Sequence, residues 1–104
     1  MIFAADKLIA GRPEAVRSFL QGWFETIAFM RKNKAETVAI AKEVTNKDEE
    51  ITSRVYEELM PMFSDDGKFN APALVTLSKS YVELQLLPQE PDMKTLYTEA
   101  FLPK

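Results

Sequence analysis

The sequence predicts an all-α fold of five or six helices joined by short links, and three observations carry that prediction. Pro13 to Asn33 holds an unbroken helical pattern of apolar residues. No segment shows sustained period-two alternation. Capping and turn residues (Gly11, Asn33, Asn46, the Asp65-Asp66-Gly67 run, Asn70, Pro88, Asp92) punctuate the chain at helix-length intervals.

Residues 2–10 read as a short helix, with Ile2, Phe3, Leu8 and Ile9 as contacts and Gly11 as its stop. A strand over Met1–Ala5 is the competing reading. The long helix follows, carrying the only Trp and three of the seven Phe. Val16, Phe19, Leu20, Trp23, Ile27 and Met30 form one apolar stripe, so Trp23 is expected to be largely buried. Pro13 suits a first helical turn, Glu14 complements the positive end of the dipole, and Arg31, Lys32 and Lys34 the negative end. A second strip of small residues, Ala15, Ser18, Gly22 and Thr26, with Phe29 beside it, predicts that this helix is contacted on two sides.

Asn33 with Glu36 suggests a capping box for a third helix to about Val44, with Thr37, Ile40, Ala41 and Val44 as a narrow face. Thr45 or Asn46 would cap a fourth, acidic in its first turn, with Ile51, Val55, Leu59 and Met62 buried and Pro61 ending it. Ser64 to Lys68 reads as a turn with Gly67 at positive φ. Asn70 would cap a fifth helix with Pro72 in its first turn. Leu74, Leu77, Tyr81 and Leu84 give its main face, Val75, Val82 and Leu86 a second contact, and Leu87-Pro88 its stop. Asp92 would cap a last helix, Met93 to about Thr98, and Phe101 and Leu102 anchor the tail.

At 104 residues the chain suits one domain. Its formal net charge of −3 gives no basic excess for nucleic acid. It has neither Cys nor His, which removes thiolate chemistry, the commonest metal ligand and the commonest general base. No window approaches the ~20 apolar residues of a membrane span, and the N-terminus lacks the pattern of a signal peptide, so a cytoplasmic location is expected for the chain as written.

Candidate chemistry is sparse. Glu49-Glu50 and Glu57-Glu58 are helix neighbours about 100° apart and do not converge. Asp65-Asp66-Gly67 fails as a calcium loop, because positions one and twelve would be Met62 and Ala73. Nothing in the neighbouring sequence marks Lys42 or Lys79 as a nucleophile, and no Gly-rich loop could cradle phosphate. Tyr56, Tyr81 and Trp23 at helical spacing read as core rather than as a ligand platform. No enzyme activity, cofactor or metal is expected.

The order of signals resembles the C-terminal part of periplasmic solute-binding proteins of ABC importers, in the branch handling nitrate, sulfonates, taurine and thiamine-precursor pyrimidines. Arg12-Pro13-Glu14, Trp23-Phe24, Asn33-Lys34-Ala35-Glu36, Asp65-Asp66-Gly67-Lys68-Phe69, Leu86-Leu87-Pro88, Pro91-Asp92 and Phe101-Leu102 carry the likeness. The resemblance implies the last third of a protein with two α/β lobes, a periplasmic site of action, and contact with a transporter permease through the remainder. It transfers no ligand-binding residue. A free-standing helical interaction module is the alternative. Either way, faces are left without a partner. A two-fold homodimer is expected, its interface including Ala15, Ser18, Gly22, Thr26 and Phe29, or Val75, Val82 and Leu86.

Overall fold

A computed structural model describes residues 1–104, and the chain is all-helical with no strand. Five helices follow in order: α1 (Asp6–Gly11), α2 (Pro13–Lys32), α3 (Lys34–Thr45), α4 (Glu49–Leu59) and α5 (Ala71–Glu83). Short 3-10 turns occupy Met60–Met62 and Met93–Thr95.

The central helix is α2, which other segments touch along its length. Near its start, Arg17 Nη1 donates to the Ala100 carbonyl at 2.9 Å, and the guanidinium lies 4.9 Å from the Phe101 ring centroid. At its middle, Phe24 meets the Gly67 turn and Trp23 tilts against Phe63, centroids 6.4 Å apart. At its end, Arg31 donates to Asp65 Oδ1 (2.7 Å) and to the Phe63 carbonyl (2.6 Å). The tail and the 63–67 link are thus tied to one helix, as the anchoring role expected of Phe101 and Leu102 requires.

Several local expectations hold for their stated chemical reasons. Asn70 Oδ1 accepts from the Ala73 N–H (2.9 Å), and Pro72 sits in the first turn of α5. Asp92 caps the last turn through the Lys94 N–H (3.1 Å). Gly67 has φ +74°, and the turn around it closes through Ser64 Oγ and Asp66 Oδ1.

Other expectations are corrected. Residues 1–5 are not helical: α1 begins at Asp6, and Ile2 and Phe3 are exposed. The Asn33–Glu36 capping box does not form. Asn33 Nδ2 instead donates back to the Phe29 carbonyl at 2.9 Å, closing α2. Asn46 takes the left-handed conformation that ends α3, which Asn tolerates, so the cap of α4 passes to Asp48. The fifth helix ends at Glu83, short of Leu87-Pro88. Gln85 turns left-handed (φ 59°), and the Leu86 and Leu87 N–H groups both return to the Tyr81 carbonyl. Pro88 disfavours helical geometry only at Leu87, which lies beyond the point where α5 has already ended. The last helix is only the 3-10 turn Met93–Thr95.

The buried faces differ most from expectation. Only Ile27, Val38, Met60, Thr52 and Ser78 are buried. Trp23 is 39% exposed, and Phe19 more so, with Phe19 stacked on the indole and Phe63 tilted against it. Helix α3 buries Val38 and exposes Ile40 and Val44; α4 turns Thr52, Tyr56 and the following Met60 inward and exposes Ile51, Val55, Leu59 and Met62. On α5, Leu77 and Leu84 are exposed and Ser78 lies inside. No hydrogen bond links α5 to α1–α4. Its ties run to the returning segment, where Ser78 Oγ donates to Glu90 Oε2 at 3.1 Å.

The result is an open array of 47 × 35 × 23 Å, with a radius of gyration of 17.4 Å. A compact domain of this length has a radius of about 13 Å. Its accessible surface is 8475 Å², whereas a folded monomer of 11.9 kDa exposes about 5,900 Å². Roughly 2,500 Å² of surface is thus left uncovered beyond the ordinary share.

Candidate interaction surface

Three exposed faces can be read helix by helix. The first is the small-residue side of α2. Ser18, Gly22, Thr26 and Phe29 are exposed and Ala15 half-buried. A Cβ added at Gly22 would meet nothing within 4 Å, and Thr26 Oγ1 is turned to its own helix, donating to the Gly22 carbonyl at 2.7 Å. No other part of the chain packs here, so the second contact expected for α2 is not made within it. The second face is the α5 edge, where Val75, Val82 and Leu86 are all exposed. The structure therefore places these two groups on open surface and does not bring them together into one site.

The third face escaped sequence reading. Helices α3 and α4 form an antiparallel hairpin bridged by two exposed ion pairs, Lys34–Glu57 and Lys42–Glu49, the latter at 3.6 Å. The Lys34 hydrogen bond, and then its charge, hold the Glu57 carboxyl below the usual carboxylate range. The same ammonium stands 5.9 Å from the Tyr56 ring centroid. One side of the hairpin is an open groove lined by Ala35, Ala39, Lys42 and Glu43 from α3 and by Glu49 and Ser53 from α4. Both lysines at this groove, Lys34 and Lys42, are already paired, so no free cationic pair converges there.

Residues step about 100° around a helix. On α3 that places Ile40 and Val44 on the flank away from the groove. On α4 it does the same for Ile51, Val55 and Leu59. In the register that both pairs share, Ile40 lies across from Ile51. These five aliphatic side chains, 44–79% exposed, share one side of the hairpin. Their spacing was legible, but it carried no sign of which side would be left open.

Polar groups elsewhere are structural. Thr52 Oγ1 donates to the Asp48 carbonyl (2.7 Å), and the Tyr56 hydroxyl to the Met30 carbonyl (2.5 Å). The Asp66 carboxyl is held below its ordinary range chiefly by the Lys68 N–H. The arrangement offers apolar docking faces, and its polar contacts hold the backbone in place. No helix is long and apolar enough to cross a membrane. Comparison with family models, with curated proteins and with solved structures gave no match.

Proposed function

We propose that this chain is the C-terminal helical part of an ABC-importer solute-binding protein of the nitrate, sulfonate, taurine or pyrimidine branch, acting without catalysis. The observation that carries the reading is the surplus of about 2,500 Å² of surface over a folded monomer. A chain with five buried residues and an unfilled small-residue strip on its longest helix is built to be covered. The resemblance in the order of motifs says by what. The strip Ala15–Ser18–Gly22–Thr26 with Phe29, and the Val75–Val82–Leu86 edge, would seat against the α/β remainder of a lobe. Small residues let a second backbone approach closely, and the aliphatic edge supplies burial. Such a protein works in the periplasm, and its contact with a permease runs through that remainder.

Fragment complementation tests this. A nitrate- or alkanesulfonate-binding protein of the same branch, cut before its own C-terminal helices, is mixed with this chain. Calorimetry is expected to show solute binding restored in the mixture and absent for either part alone. Solute heat from this chain by itself, or no association between the parts, overturns the reading. Gly22→Arg and Val82→Arg are expected to weaken the association.

A further inference from the structure

We infer that residues 69–104 form an arm that swings on the 66–68 turn and is latched to α2 by Arg17. This goes beyond the transporter reading and does not rest on it, since it concerns only how two parts of this chain hold each other.

The arm is tied together internally. Ser78 Oγ donates to Glu90 Oε2 at 3.1 Å, which holds the returning segment against α5. The Phe69 N–H donates to Glu99 Oε1 at 2.8 Å, and the Phe69 and Tyr97 ring centroids are 4.5 Å apart. Those two contacts fasten the tail to the start of the arm. The base is fastened separately, because Arg31 on α2 binds Asp65 and the Phe63 carbonyl. Between the two parts stand Asp66, Gly67 and Lys68, outside any helix, whose hydrogen bonds stay within the turn.

One hydrogen bond crosses from residues 1–62 to residues 66–104, the 2.9 Å contact from Arg17 Nη1 to the Ala100 carbonyl, and no ion pair does. The same guanidinium covers the Phe101 ring. The apolar part of the contact is small: Leu102 and Phe24, both half-buried, close over Gly67. Helix α5 adds nothing to it, since it buries only Ser78, against its own return. Two bodies joined by a contact that is neither large nor strongly hydrophobic are expected to move relative to one another. A segment held by so few buried contacts opens at a free energy well below that of global unfolding. Arg17 is therefore the latch, and opening uncovers the side of α2 lined by Gln21, Phe24 and Ala28.

The absence of Cys makes the test direct. Nitroxide labels on Lys32→Cys in α2 and Lys79→Cys in α5, both exposed, report the distance between base and arm by pulsed electron resonance. The otherwise unchanged chain is expected to give one main distance, with a longer one appearing in low urea before helical circular dichroism falls. Arg17→Met keeps an apolar chain over Phe101 and removes the donor. It is expected to raise the longer-distance fraction about tenfold, the worth of one charged hydrogen bond. Gly67→Ala, which pushes Leu102 and Phe24 apart, is expected to open the arm from the other side of the tail. It keeps the test decisive should Arg17→Met lose helix. A folded Arg17→Met chain with an unchanged distance distribution overturns the inference. So does a distance that lengthens only as helix is lost, or loss of helix in both variants, because base and arm would then be one cooperative unit.

Discussion

The hydroxyl of Tyr56 on α4 donates to the backbone carbonyl of Met30 at 2.5 Å, joining the hairpin to the last turn of α2. That carbonyl is one of the four at a helix end that lack an intrahelical donor. One side chain therefore both caps α2 and fixes where α4 lies against it. Tyr56→Phe keeps the ring and removes only the donor. It is expected to destabilise the chain by about 1 kcal/mol, the net worth of a hydrogen bond in a half-buried site. Urea unfolding followed by helical circular dichroism measures it, and an unchanged midpoint would show that the contact does not hold the hairpin.

The reach of sequence reading is visible in α4. Its helical period, its acidic first turn and its end before Pro61 were legible, because each depends on neighbours a few residues away. The side that turns inward was not. Ile51, Val55 and Leu59 read as core by hydropathy, yet Thr52 and Tyr56 occupy that position. Tyr56 has a partner on α2, and Thr52 satisfies its hydroxyl on its own helix, so both can turn inward. Periodicity states which residues share a face; only the rest of the fold decides what covers it. The same distinction separates Asn70, whose cap needs only Ala73, from Trp23, whose burial needed a distant partner.

The single tryptophan reports on that openness. With 39% of its surface exposed, Trp23→Ala is expected to cost about 1–2 kcal/mol, below the ~3–5 kcal/mol of a fully buried aromatic. Its fluorescence is expected to be quenched by acrylamide in the native chain almost as readily as in urea. A native signal shielded from quencher would place the indole in a core that the open array lacks.

Two glycines on the same stretch of structure are expected to respond with opposite signs. At Gly22 a methyl group meets nothing within 4 Å, so Gly22→Ala improves helix propensity and is expected to stabilise by about 0.5–1 kcal/mol. At Gly67 the backbone has φ +74°, and a Cβ would stand 2.6 Å from both Leu102 Cδ2 and Phe24 Cζ. Gly67→Ala is expected to destabilise by at least ~1 kcal/mol from the left-handed conformation alone, with the clash adding to it. Thermal melts of the two variants beside the wild type decide the matter. A Gly67→Ala variant as stable as the wild type would mean that Gly67 does not lock the tail onto α2, and a destabilised Gly22→Ala would mean that the α2 strip is covered.

Acid is expected to loosen the α3–α4 hairpin at one identifiable point. Glu57 is held below the usual carboxylate range first by its hydrogen bond from Lys34 and then by that charge. A carboxyl whose folded pKa is depressed contributes stability that is fully present above its unfolded value. That contribution is lost as pH falls through the folded value. Asp66 adds a second group of the same sign, depressed mainly by the Lys68 N–H. Both carboxyls are open to solvent, so each effect is small and the Glu57–Lys34 pair is weakened further by salt. Glu57→Gln removes the titrating group while keeping its shape and a carbonyl acceptor for Lys34. The difference in stability between wild type and Glu57→Gln is therefore expected to favour wild type near neutral pH and to shrink as pH drops below the carboxylate range. Urea midpoints at several pH values, at low and high salt, measure that difference. A gap that stays constant with pH would mean that the charge of Glu57 does not contribute to the hairpin's stability.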